Sequence, residues 1–282
     1  MNHDNLKGRV AVVTGGGGVL CSGFAKDRAA VGVKVAVLDL REEAAQQVAD
    51  EINAAGGEAI GVGCNVLEAE SLEAARQKIN ETLGVCDILI NGAGGNSPKG
   101  TTTKDTLELE DMANKAEGVK TFFDLDAQGI EFVFNLNFLG TLLTTQCFAK
   151  DMVGRENTTI INISSMNSFK PLTRIPAYSA AKAAISNFTQ WMAVHFADVG
   201  IRVNAIAPGF FSTIQNAKLL YNEDGSLTER SNKIITHTPM RRFGVPEDLT
   251  GSLVFLCDEQ YSGFITGIVL AVDGGFSAYS GV

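Results

Sequence analysis

The sequence predicts an α/β fold in which a parallel sheet lies between two layers of helices. Three observations lead there. Short β-branched runs alternate with longer helical patterns. The runs are apolar at consecutive positions rather than at every second one. Glycine or polar clusters follow the runs. A strand apolar on both faces belongs in a sheet covered on both sides. Right-handed crossovers then place the strand C-termini along one edge, where such doubly wound folds bind ligands.

Taken in order, Arg9–Val13 (RVAVV) is the first strand and ends at a glycine cluster, and residues 19–31 read as the helix after it. Lys34–Leu38 (KVAVL) is the second strand. The helix over 42–55 stops at Gly56-Gly57, because glycine readily takes the left-handed conformation that ends a helix. Ala59–Gly63 is a third strand, followed by a helix at 69–83, and Cys86–Ile90 (CDILI) is a fourth. After a polar stretch come a helix at about 130–153, a strand at 159–163, a helix at 177–198 and a strand at 201–206. A long loop region, a helix at 246–257 and a strand near 267–272 complete the pattern. No repeat or low-complexity linker interrupts it, so residues 1–282 read as one domain.

Composition narrows the function. The chain is 45% hydrophobic and 20% charged, as ordinary globular proteins are. Its net charge is −9, the acidic residues are scattered and no basic run occurs, which argues against nucleic acid as a partner. No run approaches the ~18–20 apolar residues needed to cross a bilayer. The polar segment Met1–Arg9 lacks the apolar core of a signal peptide, so a cytoplasmic protein off the membrane is expected. Cys21, Cys64, Cys86, Cys147 and Cys257 are odd in number, widely spaced and without metal-binding spacing. They read as buried thiols in a reducing compartment, and no metal site is expected.

Two features point to a dinucleotide. Thr14-Gly15-Gly16-Gly17-Gly18-Val19-Leu20 follows the first strand and opens a helix, where glycines let the backbone approach a pyrophosphate. A glycine-rich turn with no ligand would look the same. Asp39, next to Leu40, follows the second strand 24 residues after Gly15. A carboxylate there accepts from both adenosine ribose hydroxyls and repels a 2′-phosphate, which favours NAD. A helix-capping aspartate is the plainer reading, and Arg41 keeps NADP open.

The chemistry sits further on. Tyr178 and Lys182, at i and i+4 in Ala177-Tyr178-Ser179-Ala180-Ala181-Lys182, share one helix face. A nearby ammonium stabilises phenolate and so lowers a tyrosine pKa from about 10, as acid/base catalysis requires. The pair alone is weak evidence, but its context is not. Ser164-Ser165 ends the fifth strand, 13 residues before Tyr178 when counted from Ser165. Asn137 lies on the preceding helix, Asn91-Gly92-Ala93-Gly94 ends the fourth strand and Pro208-Gly209 ends the sixth.

On these motifs the chain resembles the short-chain dehydrogenase/reductase family over nearly its whole length, with a Rossmann-type sheet and an NAD(P) cofactor. The resemblance implies that Tyr178 exchanges a proton with the substrate oxygen while Lys182 lowers the tyrosine pKa and holds the nicotinamide ribose. Ser165 would bind the substrate oxygen, and Asn137 would hold a water linking Lys182 to solvent. Gly15, Gly17, Gly18, Val19 and Leu20 would meet the pyrophosphate, and Asp39 and Leu40 the adenosine ribose. Asn65, Val66, Asn91, Ala93 and Gly94 would line the adenosine side, and Pro208, Gly209, Phe211 and Thr213 the nicotinamide end. Two departures stand out. Val19 and Cys21 occupy the last two glycine places of the family's Thr-Gly-x-x-x-Gly-x-Gly turn, and Asn65 stands where an aspartate is usual.

The substrate is less legible. The 46 residues from Asn91 to Asn137 exceed the family's usual gap, so about 96–126 reads as an insertion on the ligand edge. Residues 212–242 resemble the family's substrate flap. Asn96, Asn167, Lys170 and Arg174 are candidates for sugar hydroxyls or a substrate carboxylate. Strings such as Asn-Gly-Ala-Gly-Gly-Asn (91–96) and Phe-Asn-Leu-Asn-Phe-Leu-Gly-Thr (134–141) are similar to the D-mannonate oxidoreductase (fructuronate reductase) subgroup. That similarity implies a sugar acid. A gluconate 5-dehydrogenase or other polyol dehydrogenase, a 3-oxoacyl thioester reductase and a non-catalytic NAD-binding regulator remain as alternatives. The family also implies a homotetramer.

Overall fold

The computed structural model describes residues 3–213 and 216–281. Seven strands form one parallel sheet: β1 (Val10–Thr14), β2 (Lys34–Asp39), β3 (Glu58–Gly63), β4 (Ile88–Asn91), β5 (Thr158–Ile163), β6 (Ile201–Pro208) and β7 (Val269–Val272). Their order is β3-β2-β1-β4-β5-β6-β7, and Val12 lies opposite Ala36 on one side and Leu89 on the other. The helices are α1 (Val19–Ala30), α2 (Glu42–Ala54), α3 (Ala69–Thr82), α4 (Leu109–Ala113), α5 (Ala127–Phe134), α6 (Gly140–Met152), α7 (Pro176–His195), α8 (Ala217–Leu220), α9 (Glu229–His237), α10 (Glu247–Cys257) and α11 (Glu259–Ser262).

The alternation of side chains along each strand divides the core in two. Ala11 and Val13 face one layer, with Phe24 of α1, Val48 of α2 and Leu253 of α10. Val10 and Val12 face the other, with Ile79 of α3, Phe148 of α6 and Met192 of α7. Each fully buried Val, Ile, Leu or Phe contributes roughly 1.5–3 kcal/mol by leaving water. The chain builds outward from β1 to β3, crosses back to β4 and continues the other way. The C-terminal ends of β1 and β4 therefore lead into opposite layers and leave a crevice between them.

Two elements differ from the expected pattern. α5 and α6 form one continuous 26-residue helix through a π turn at Asn135–Leu139. By length and composition this helix could cross a membrane, contrary to the sequence reading; half of its most apolar window is buried inside the protein. The segment before it contains α4, too short for a periodic signal. Lys104 binds the Asp111 carboxylate at 2.8 Å, and that carboxylate accepts the Glu108 N–H at 2.9 Å to cap the helix. Asp126 then caps α5, accepting from Gln128 N at 2.7 Å.

Candidate active site

The crevice opens at Thr14. Its hydroxyl oxygen accepts from the N–H of Gly92 (3.1 Å) and of Ala93 (3.2 Å), which ties the end of β1 to the end of β4. The chain then turns at Gly15, where φ is +65° and an added Cβ would lie 3.0 Å from the Ala93 backbone. Only glycine takes that shape against another backbone without strain. Gly16 donates to Leu38 O at 2.8 Å, and Gly17 donates to Asp39 Oδ2 at 3.1 Å. The spacer glycines thus lay the turn on the end of β2, and Gly18 caps α1. Val19 and Cys21 stand in the first turn of α1, outside the glycine turn. The first N–H groups of α1 have no intrahelical partner and lie on the ligand edge, beside a turn without side chains. Such a cradle fits a pyrophosphate.

Across the crevice, β5 ends at Ile163 and Ser165 follows. Proline at the first position starts α7, which puts Tyr178 in its first turn and Lys182 one turn further. Ser165 lies close enough to Tyr178 to influence its phenol. Lys182 Nζ lies 5.6 Å from the centre of the Tyr178 ring and donates to Ile163 O at 2.7 Å. Lys182 is 5% exposed, and burial pushes its pKa down to about 8. Burial also pushes the Tyr178 phenol above its ordinary value, while the nearby Ser165 hydroxyl pulls the other way. Desolvation of the phenol, rather than the neighbouring ammonium, is the larger influence.

Asn137 completes the group from the π turn. Asn137 Nδ2 donates to Val133 O at 2.8 Å and to Gly95 O at 2.7 Å. A Cβ on Gly94 would lie 2.6 Å from Asn137 Oδ1 and 3.2 Å from Lys182 Nζ, so Asn137 and Lys182 flank one bare stretch of backbone. A phenol, a serine hydroxyl and a buried ammonium therefore converge on the edge where the glycine turn lies.

The profile of the short chain dehydrogenase family matches residues 9–224, most of the chain. The chain belongs to the short-chain dehydrogenase family. It is 59% identical over 281 residues to an uncharacterized oxidoreductase of Haemophilus influenzae, covering 100% of this chain and 97% of that one. It is 55% identical over 280 residues to an uncharacterized oxidoreductase of Bacillus subtilis, covering 99% of each. A solved Haemophilus structure with bound NAD, assigned provisionally as a D-mannonate oxidoreductase, matches with a TM-score of 0.95 at 58% identity, covering 100% of this chain and 99% of that one. The protein is thus an oxidoreductase that works with a nicotinamide cofactor.

Within this dehydrogenase, several expected contacts are spent elsewhere. The Asn91 amide donates to Thr145 Oγ1 (3.0 Å) and Asn162 Oδ1 (2.9 Å), so it braces β4 against β5 from inside. Asn65 donates to Glu68 and accepts from Leu67 N (3.1 Å), which makes its side chain a turn before α3. Val66 is buried against Gly140, and Leu40 stands exposed. Phe211 is buried in the core, its ring packed on Gly244. Gly209 sits against the Asp273 backbone at the end of β6, and Thr213 N donates to Asn216 Oδ1 at 2.8 Å.

The substrate candidates separate as well. Asn96 is exposed and donates to Thr101 Oγ1 at 3.1 Å. Asn167 is 4% exposed, its N–H donates to Ser165 Oγ at 3.3 Å, and its Oδ1 is buried without a partner among the described residues. Arg174 gives its Nε–H to Asp105 at 2.6 Å, and Lys170 reaches the Tyr279 carbonyl. Sequence reasoning missed Asp105 because its partners lie far away along the chain. Thr14 was passed over because it stands beside the more conspicuous glycines.

Proposed function

We propose that this dehydrogenase interconverts a sugar acid and its keto acid with NAD, and that D-mannonate and D-fructuronate are the pair. The observation that carries the substrate is the 58% identity, over the whole chain, to the NAD-bound Haemophilus structure provisionally assigned as a D-mannonate oxidoreductase. Asp39, at the end of β2, supports NAD over NADP, since a carboxylate there repels a 2′-phosphate.

The α1 N-terminus and the turn Gly15–Leu20 would hold the pyrophosphate, Asp39 the adenosine ribose, Ala93 and Gly94 the adenosine side, and Pro208-Gly209 the nicotinamide end. Bound nicotinamide supplies the hydride in one direction and takes it in the other. Tyr178 gives its proton to the substrate oxygen in reduction, and Ser165, beside Tyr178, holds the same oxygen. Lys182 stabilises the phenolate left behind. A pKa near 8 lets Lys182 pass a proton on close to neutral pH. Asn137 keeps the backbone at Gly94-Gly95 in place beside it. Asn167 is the acceptor for a sugar hydroxyl, because a buried unpaired oxygen costs about 1–3 kcal/mol that such a hydroxyl would recover. Asn96 and Arg174 are further contacts for hydroxyls and carboxylate.

We also infer a homotetramer. α7 leaves Trp191 and Val194 56% and 80% exposed, and Trp191 stacks between Phe188 and His195. A second copy would cover that strip, and light scattering of the purified protein tests it. The five cysteines are free and buried, which suits the reducing cytoplasm.

The function is tested by following NADH oxidation with D-fructuronate, 5-ketogluconate or an acetoacetyl thioester, with Tyr178→Phe as the blank. Turnover confined to D-fructuronate is expected. Faster turnover of either other compound would overturn the substrate while leaving the family and the proton donor intact.

A further inference from the structure

A cluster of charges stands at the rim of the site, outside the catalytic group. Asp105, between β4 and α5, accepts through Oδ1 from Arg174 Nε (2.6 Å) and Thr173 Oγ1 (3.1 Å). Through Oδ2 it accepts from Lys233 Nζ at 2.7 Å. Thr173 and Arg174 lie on the loop joining Ser165 to Tyr178, and Lys233 lies within α9. One carboxylate therefore joins three elements: the insertion, the loop between two catalytic residues and the flap. The two cations hold its carboxyl well below the ordinary range.

The backbone supports one of these junctions and not the other. Thr102 N donates to Arg174 O at 2.8 Å. Arg174 itself has φ +71°, a conformation that a non-glycine residue keeps only where its surroundings impose it. The side toward Asp105 is thus fixed. α9 is held differently. It packs chiefly on α8, and Leu220, Ile234 and Phe243 form a small apolar cluster apart from the two that flank the sheet. A segment with its own small core opens as a unit, at a cost set by its few outward contacts. Toward the mouth these are Lys233 with Asp105 and, at the helix end, His237 against the Tyr279 ring, whose centre is 6.3 Å away.

We propose that Asp105 is a positioning residue: it holds α9 closed over the substrate through Lys233 and anchors that closed position on the Arg174 loop. The inference needs only that α9 covers the site, and not that the substrate is a sugar acid. Exposed ion pairs are individually weak and screened by salt, so a modest, salt-sensitive effect is expected.

The test uses the full-length protein saturated with NADH. Asp105→Asn keeps the shape and removes the charge. Chymotrypsin cleavage after Leu219, Tyr221 or Leu227 should quicken about fivefold, the factor that corresponds to about 1 kcal/mol. The KM for D-fructuronate should rise by a similar factor, with kcat changed less. Lys233→Met should do the same, the double variant should do no more than either alone, Lys233→Arg should restore protection, and 0.5 M salt should erase the differences. Cleavage unchanged in Asp105→Asn, or effects of the two substitutions that multiply, would overturn the proposal. If D-fructuronate is not turned over, the sugar-acid reading fails and the cleavage rates still decide this one.

Discussion

Cys21 and Gly92 share one space. A Cβ on Gly92 would lie 2.3 Å from the Cys21 sulfur and 2.8 Å from the Thr14 carbonyl. Cys21, in the first turn of α1, stands where the family has its last turn glycine, and the volume it adds is accommodated because the facing residue of the β4 end has no side chain. Gly92→Ala should therefore overpack the crevice and cost about 1–3 kcal/mol. Adding Cys21→Ala should recover part of that, the Thr14 carbonyl remaining close. Thermal melts of the two single variants and the double variant measure it; equal midpoints would show that the two residues do not compete.

Tyr178→Phe removes the proposed proton donor and leaves the ring. Turnover should fall about 10²–10⁴-fold. NADH affinity, followed by fluorescence titration, should change little, because the proposed dinucleotide cradle is built mainly from β1, β2 and α1. A variant that keeps most of its activity would place the proton donor elsewhere.

Lys182 carries a stability cost that can be measured. Its pKa is about 8 in the folded protein against an ordinary 10.5. Between those values the unfolded chain binds a proton that the folded chain does not, so stability rises with pH across about 8 to 10.5. At pH 7 both states are charged and the cost is fully present, at most about 3 kcal/mol. Lys182→Met should abolish turnover and raise the melting temperature at pH 7, with the gain shrinking as pH passes 8. A lower melting temperature at pH 7 would mean that the bond to Ile163 O outweighs the cost of burial.

Asp39 holds the Gly17 N–H, and in the proposed reading it also faces the adenosine ribose. Asp39→Ala should weaken NADH about tenfold or more and narrow the NADH-over-NADPH ratio of kcat/KM. Asp39→Asn should keep much of the turn while losing the charge, and so separate the two tasks. An unchanged ratio in both variants would assign cofactor choice to another residue.

The sheet was legible in the sequence because each strand is a short run apolar on both faces, and all seven lie within a few residues of their expected places. Ser165, Tyr178 and Lys182 were legible for a related reason: spacing on one helix and one strand end fixes them locally. What stayed hidden depends on longer range. The amides of Asn65 and Asn91 look free in a sequence, and only the neighbours Glu68, Thr145 and Asn162 show them engaged. Phe211 reads as an edge residue until Gly244 proves to make room for its ring. Asp105 and Lys233 are 128 residues apart, beyond any local pattern.

The π turn at Asn135–Leu139 has an arithmetic consequence. Each residue advances an α-helix by about 100°, and this turn holds one residue more than the turns around it. α5 and α6 are therefore out of phase, like two lengths of screw thread joined with an offset. Deleting one residue here would not merely shorten the helix. It would rotate α5 against α6, pull Gly129 from its seat on Lys99 and Gly100, and swing the insertion around the mouth. The thread beyond the joint must keep step with the sheet. The thread before it keeps step with the insertion and also with α7, where Val133 packs on Ala177 and Ala181, so the rim can be rebuilt only while the joint keeps its count.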